Sequence, residues 1–207
     1  MKTKRYVKSW IKAFGEVSED HLRFSIALIQ SLVENGPVNL NSIEESTGMN
    51  MRRLKNFAKK RPRTYFNEDH KIVGHGAVSI EESREKLEVG DKVFYASNSW
   101  DALSAVFYID QPLIWKSKCD VSGEDVEVKV LPEGIETEQE GIYLSFLHPD
   151  ALNFERLDTM SDWCVTLLGD GAAESYLEAH PDRLAIPLSQ SYQFVRDAFY
   201  AWVKPEQ

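Results

Sequence analysis

The sequence predicts an α+β fold in which a winged-helix-like helical module packs on a C-terminal mixed or antiparallel β-sheet with flanking helices. Three observations predict it. Apolar residues recur at helical spacing through the first 35 residues. Residues 64–79 alternate about a turn-rich Asn67-Glu68-Asp69-His70 tetrad. From residue 92 onward, short alternating runs are punctuated by Gly and Pro, as in a sheet with short connections. A division into a helical module, 1–80, and a β-rich catalytic or ligand-binding domain, 81–207, follows from this change of pattern.

The elements read in order. Leu22, Ile26, Ile29 and Val33 form one apolar stripe, started by the cap residue Ser18 and stopped by Asn35-Gly36-Pro37. Asn41 caps a short helix, Gly48 turns the chain, and a second helix opening at Asn50 or Met51 points Leu54, Phe57 and Ala58 inward. Two short helices about a glycine turn are a helix-turn-helix pattern. With the hairpin after it, residues 18–80 read as the winged-helix-like unit. EESREKLEVGDK reads as a charged linker to a strand ending at Lys92–Ala96. Ser99 then caps a helix from Trp100 to Tyr108, which sets Asn98 and Asp101 at a strand-to-helix junction, where backbone N–H groups favour an anion. A hairpin turning at Ser122-Gly123 follows, then strands in GIYLSFLHP and MSDWCVTLLGD. A helix ends at Pro181, a strand runs from Leu184 to Leu188, and Ser189 caps the final helix.

Composition narrows the function. At 207 residues and 43% hydrophobic, the chain can bury an ordinary core. No apolar run approaches the roughly 20 residues that span a bilayer. The basic N-terminus is broken by Lys8, Lys12 and Glu16, unlike a signal peptide, so a cytoplasmic location is expected. Cys119 and Cys164 are the only cysteines, too few for a disulfide framework and at no zinc spacing. A net charge of −9 argues against coating nucleic acid with the whole surface, although Arg52, Arg53, Lys55, Lys59, Lys60, Arg61 and Arg63 crowd one stretch.

Three segments in order, FYASNSWDALSAVFY, SKCDVSGEDVEVKV and MSDWCVTLLGD, resemble the organomercurial (alkylmercury) lyase family over roughly residues 20–200. The resemblance implies two thiolates gripping a soft mercury atom and an aspartate delivering a proton to the departing carbon. It places Asp101 on the family's aspartate and Cys119 on a structural hairpin cysteine. The two catalytic cysteines fall on Asn98 and Asp162, with Cys164 the alternative for the second. The chain is thus expected to be a diverged member that lacks both catalytic cysteines.

On that alignment Asp101, Asp162 and Asn98 form an oxygen-rich pocket. Two close carboxylates cannot both ionise easily, which leaves an acid beside a base. Asn98 would position the substrate or donate to an oxyanion. The same oxygens could hold magnesium; equally, Asp101 could only cap its helix while Asp162 is a solvated strand end. Trp100, Trp163, Tyr95 and Cys164 would line the ligand, though strand aromatics such as Phe94 are more often core. His75, between Gly74 and Gly76, lies on the hairpin that covers the family's site, or is a surface wing residue. The expected function is acid–base bond cleavage, of lyase or hydrolase type, on a small organic substrate. The alternatives are a non-catalytic small-ligand or metal-binding protein and a helix-turn-helix transcriptional regulator. The scattered histidines offer no metal set, and the residues name no cofactor and no oligomeric state.

Overall fold

The computed structural model describes residues 3–15, 17–60 and 63–202. Among these, the larger sheet has eight strands in the order β1-β2-β3-β5-β4-β6-β7-β8. They are β1 (Thr64–Phe66), β2 (Ile72–His75), β3 (Val78–Ser79), β4 (Glu85–Val89), β5 (Lys92–Ala96), β6 (Leu113–Lys118), β7 (Asp125–Leu131) and β8 (Gly134–Glu136). A smaller sheet places β9 (Ile142–Leu147) between β10 (Thr166–Leu168) and β11 (Arg183–Pro187). Every pairing is antiparallel. The fold is therefore α+β with antiparallel sheets. Residue 80, where the pattern changes in the sequence, is spanned by the pairing of β3 with β5 through Ser79 and Tyr95.

The segment expected to be a charged linker is instead the centre of the larger sheet. Leu87 of β4 pairs with Phe94 on one side and Trp115 on the other, and all three are buried. The alternation Glu85-Leu87-Val89 faces the core, with the Gly90 turn leading into β5. Glu85 itself is wholly buried, so the charge-rich composition masked an ordinary period-two pattern.

Helices cover the sheets. α1 (Thr3–Phe14) packs against α8 (Leu188–Trp202), and Tyr6 sits edge-on to Phe146 and Phe194 in the main core. α2 (Glu19–Asn35) starts at Ser18, whose side chain accepts the His21 N–H, and stops at Gly36 in positive φ. Its apolar surface is wider than one stripe. Ile29 and Val33 join the main core, while Phe24, Leu28 and Leu32 face a second core with α3 (Leu40–Thr47) and α4 (Met51–Ala58). Leu54, Phe57 and Ala58 point inward as expected. α3 begins after Asn39 rather than Asn41, without a side-chain cap.

The hairpin of β1 and β2 turns at the expected tetrad, with His70 in positive φ and the Asn67 side chain accepting the Lys71 N–H. His75 is neither a surface residue nor part of a cavity wall. It is fully buried between Thr64 Oγ1 and Ser25 Oγ, each 2.9 Å away. Ser25 Oγ donates to His21 O at 3.1 Å, so it accepts from His75 Nε2, and Nδ1 accepts from Thr64. Burial keeps this ring neutral, down to about 3, and likewise His21, stacked on Phe57, down to about 4.

α5 (Ser99–Ile109) is the central helix, between the larger sheet and helices α2 and α8. Asp101 is half-buried, the one residue of α5 that is not fully so. α6 (Met160–Trp163) and α7 (Asp170–Ala179) flank the smaller sheet. None of the described helices is long and apolar enough to cross a membrane.

Candidate active site

The site grows from the turn between β5 and α5. Asn98, not Ser99, caps the helix. Its backbone is extended, and its Oδ1 accepts the Asp101 N–H at 3.0 Å. Its Nδ2 donates to Asp101 Oδ2 at 2.7 Å and to Ser97 Oγ at 2.9 Å. Ser97 Oγ in turn donates to Asp101 Oδ2 at 2.8 Å. Both amide protons of Asn98 are therefore committed, which makes it a clamp on Asp101 with no donor left for a substrate oxyanion. Because both donors converge on Oδ2, Asp101 Oδ1 is the oxygen left to carry a proton. Burial pushes this carboxyl up to about 6, against the pull of the Ser97 and Asn98 hydrogen bonds.

Asp101 opens into a cavity of about 280 Å³. Trp10 from α1, Trp100 from α5, Met160 from α6 and Phe199 from α8 give it apolar walls. Trp10 and Trp100 stack with ring centres 3.8 Å apart. Ser104 and Tyr108 lie on the same face of α5 as Asp101, three and seven residues on. The hairpin contributes Arg63, Tyr65 and Ala77. Of these residues the sequence pointed to Asp101, Asn98 and Trp100. Helical spacing from Asp101 was the available signal for Tyr108. Nothing local marks Trp10 or Phe199, which arrive from opposite ends of the chain.

Asp162 does not join Asp101. The expected strand is helical at this point, so two-residue alternation does not apply. The turn of α6 directs Met160 and Trp163 inward and leaves Asp162 exposed. Met160 and Ser161 line the cavity and Asp162 does not. Burial, not a second carboxylate, raises the pKa of Asp101. Tyr95 is also displaced, because strand alternation turns Phe94 and Ala96 into the core and aims Tyr95 at a separate polar surface depression beside Arg84 and Lys116. Trp163 is buried behind the wall, edge-on to Trp10, with its indole N–H donating to Arg156 O at 2.9 Å.

Cys164 is the residue that neighbours Asp101. It is fully buried under the start of α5, where its carbonyl accepts the Ser99 N–H at 3.3 Å and its sulfur receives the Trp100 N–H. Burial pushes this thiol well above its usual range despite the Trp100 N–H, and the Asp101 and Glu85 carboxylates push it further. It does not line the cavity. Cys119 caps the turn between β6 and β7, where its sulfur accepts the Leu168 and Ser122 N–H groups at 3.3 and 3.5 Å.

Behind the helix start lies a polar cluster the sequence did not announce. Glu85 accepts the Trp115 indole N–H at 2.8 Å, and its other oxygen lies 3.3 Å from Arg84 Nε and 3.4 Å from Ser99 Oγ. Ser99 and Ser117 both bond Thr166 Oγ1, at 2.9 and 3.0 Å. These contacts fix the first turn of α5 to β4, β6 and β10, and so fix Asp101. No group of three His, Cys, Asp or Glu side chains stands close enough to hold a metal ion among the described residues.

Comparison with known proteins agrees with this architecture. The chain is 24% identical to an alkylmercury lyase of Staphylococcus epidermidis over 173 residues, covering 82% of this chain and 78% of that protein. It is 22% identical to an alkylmercury lyase of Pseudomonas putida, covering 86% and 84%. The fold matches the crystal structure of the mercury-bound form of MerB2 with a TM-score of 0.72 at 16% identity, over 96% of this chain and 98% of that one. The family model described as MerB, alkylmercury lyase, matches residues 78–200, more than half of the sequence. The chain therefore belongs to the alkylmercury lyase family.

Proposed function

We propose that this protein is a diverged, lyase-type member of its family, which cleaves a bond in a small organic substrate with Asp101 as the proton donor and without a pair of thiolates. The observation that carries the reading is Asp101 itself, a carboxyl pushed up to about 6 in the wall of an aromatic-sided cavity. A group that titrates close to neutral pH is the efficient choice for general acid catalysis. Ser97 and Asn98 hold Oδ2 before and after the proton leaves, so donation requires no rearrangement of the helix start. The hairpin of the proposed winged-helix-like module supplies Arg63 and Tyr65 to the cavity wall, which supports a role in shaping this site rather than in reading DNA.

The names of the relatives imply organomercurial substrates, and protonation of a departing carbon is the step this chain has kept the residue for. The grip on mercury is what it lacks. Two soft thiolates hold that ion best. Here Asn98 stands where the resemblance expects one of them, and Cys164 is buried, protonated and off the cavity wall.

The test has two arms. Release of benzene from phenylmercury, read by gas chromatography, is expected at the blank rate, and release that depends on Cys164 would overturn the non-thiol reading. Consumption of single-ring organic compounds, followed by mass spectrometry, is expected in the wild type and abolished in Asp101→Asn. Full turnover by that variant would remove Asp101 from the mechanism.

A further inference from the structure

The hydroxyl of Tyr108 is a polar group in the cavity wall that has no hydrogen-bond partner among the described residues. Its residue is 5% exposed, it lines the same cavity as Asp101, its ring sits edge-on to Phe199, and its backbone carbonyl accepts from Gln30 Nε2 at 3.3 Å. Aromatic side chains on a helix lean toward its N-terminus, and Tyr108 lies two turns beyond Asp101 on the same face. The hydroxyl therefore reaches back along α5 toward the carboxyl without bonding it. A hydroxyl in a cavity wall that no protein group engages is free to donate to a ligand. A ligand that supplies an acceptor there gains a hydrogen bond without breaking one within the protein.

We infer that Tyr108 is a substrate-binding residue, and that its hydroxyl and the protonated Asp101 carboxyl together donate to one acceptor oxygen on a small single-ring aromatic molecule. The inference rests on the preceding reading of Asp101 as an acid and names the substrate class for the same cavity. Two O–H donors in the wall of an aromatic-sided cavity favour a carboxylate or carbonyl oxygen over a hydrocarbon, because only the oxygen can accept from both. Burial, and secondarily the Asp101 carboxylate, push the phenol well above its usual range, so it remains a donor at every working pH. Trp10 and Trp100 offer a flat face for the ring. A volume of about 280 Å³ lies at the small end for ligand pockets, which suits one ring rather than several.

The titratable and charged groups that face Asp101 are Tyr108 on its own helix, Cys164 beneath the helix start, and Arg63 and Tyr65 across the cavity. Ligand affinity is expected to follow the titration of Asp101.

Benzoate and benzamide are the probes, with binding to the full chain read by quenching of tryptophan fluorescence. Tyr108→Phe removes one oxygen that no protein group uses, so the variant is expected to fold with wild-type stability and to bind the preferred probe about tenfold more weakly. Benzoate affinity is expected to fall as pH rises through about 6 in the wild type and to be flat there in Asp101→Asn. If benzamide is preferred instead, the neutral carbonyl is the ligand chemistry, with the same dependence on Tyr108. Equal affinity of wild type and Tyr108→Phe for both probes would overturn the inference while leaving the acid role of Asp101 standing. A directly measured Asp101 pKa near its ordinary 3.8 would instead remove the reading on which the inference rests.

Discussion

Replacing Asp101 with Asn tests the poise of the carboxyl without any knowledge of the substrate. The side chain is nearly isosteric, and an amide can still meet Ser97 and Asn98. A rise from the ordinary 3.8 to about 6 corresponds to about 3 kcal/mol of folded-state penalty for the ionised form at full strength. The sign follows from the direction. The folded pKa is raised, so the contribution to stability is fully present below 3.8 and is lost as pH rises through about 6. Between about pH 5 and about pH 7 the wild type should lose about 1.3 kcal/mol from this group, trimmed to about 1 kcal/mol because the carboxyl partly faces cavity water. The neutral variant has no such loss. Urea unfolding of both proteins at the two pH values, followed by tryptophan fluorescence, gives the double difference, in which His21, His75 and Glu85 cancel. The variant should gain on the wild type by about 1 kcal/mol at the higher pH. A pH-independent difference between the two proteins would refute the poised carboxyl.

Three further outcomes are expected. The folded pKa of His75 is depressed to about 3 from an ordinary 6.5, so its contribution is intact above 6.5 and is lost as pH falls toward 3. Near pH 5 this amounts to about 2 kcal/mol, and His75→Gln should flatten the acid limb of the stability profile, with parallel limbs the contrary result. Glu85→Leu strands the Trp115 N–H in the interior, while the exposed Arg84 keeps Asp120 as a partner, and should lower stability by about 2 kcal/mol in urea titration, whereas a loss within about 0.5 kcal/mol would show that the cluster contributes little. Cys119 and Cys164 are 2% and 0% exposed, so Ellman's reagent should react with them only slowly in the native protein and should titrate both at once in denaturant.

Much of the fold was legible because its signals are local. The cap at Ser18, the Gly36 stop, the Asn67–His70 turn and the alternation through β6 and β7 each depend on a few neighbouring residues. The errors share another cause. β4 was hidden because Glu85, Lys86 and Glu88 read as solvent-facing charge, and only tertiary packing shows that Trp115, Ser99 and Arg84 satisfy a buried Glu85. Asp162 was misplaced because four helical residues before β10 change which side chains face inward. In the site, Asp101 and Asn98 could be found from their junction between strand and helix. Trp10 and Phe199 could not, since no pattern within α1 or α8 says that the two helices meet over α5.

The segment after α1 is joined to the end of α8 beside this cavity. Val17 N–H donates to Trp202 O at 3.1 Å, and the Trp202 indole donates to Gly15 O at 2.6 Å. The wall that Trp10 and Phe199 make together is therefore complete only when α8 has docked. During synthesis the binding chamber stays unfinished until residue 202 emerges from the ribosome, even though Asp101 was translated long before. A nascent chain can hold its proton donor in place and still have nowhere to seat a ligand.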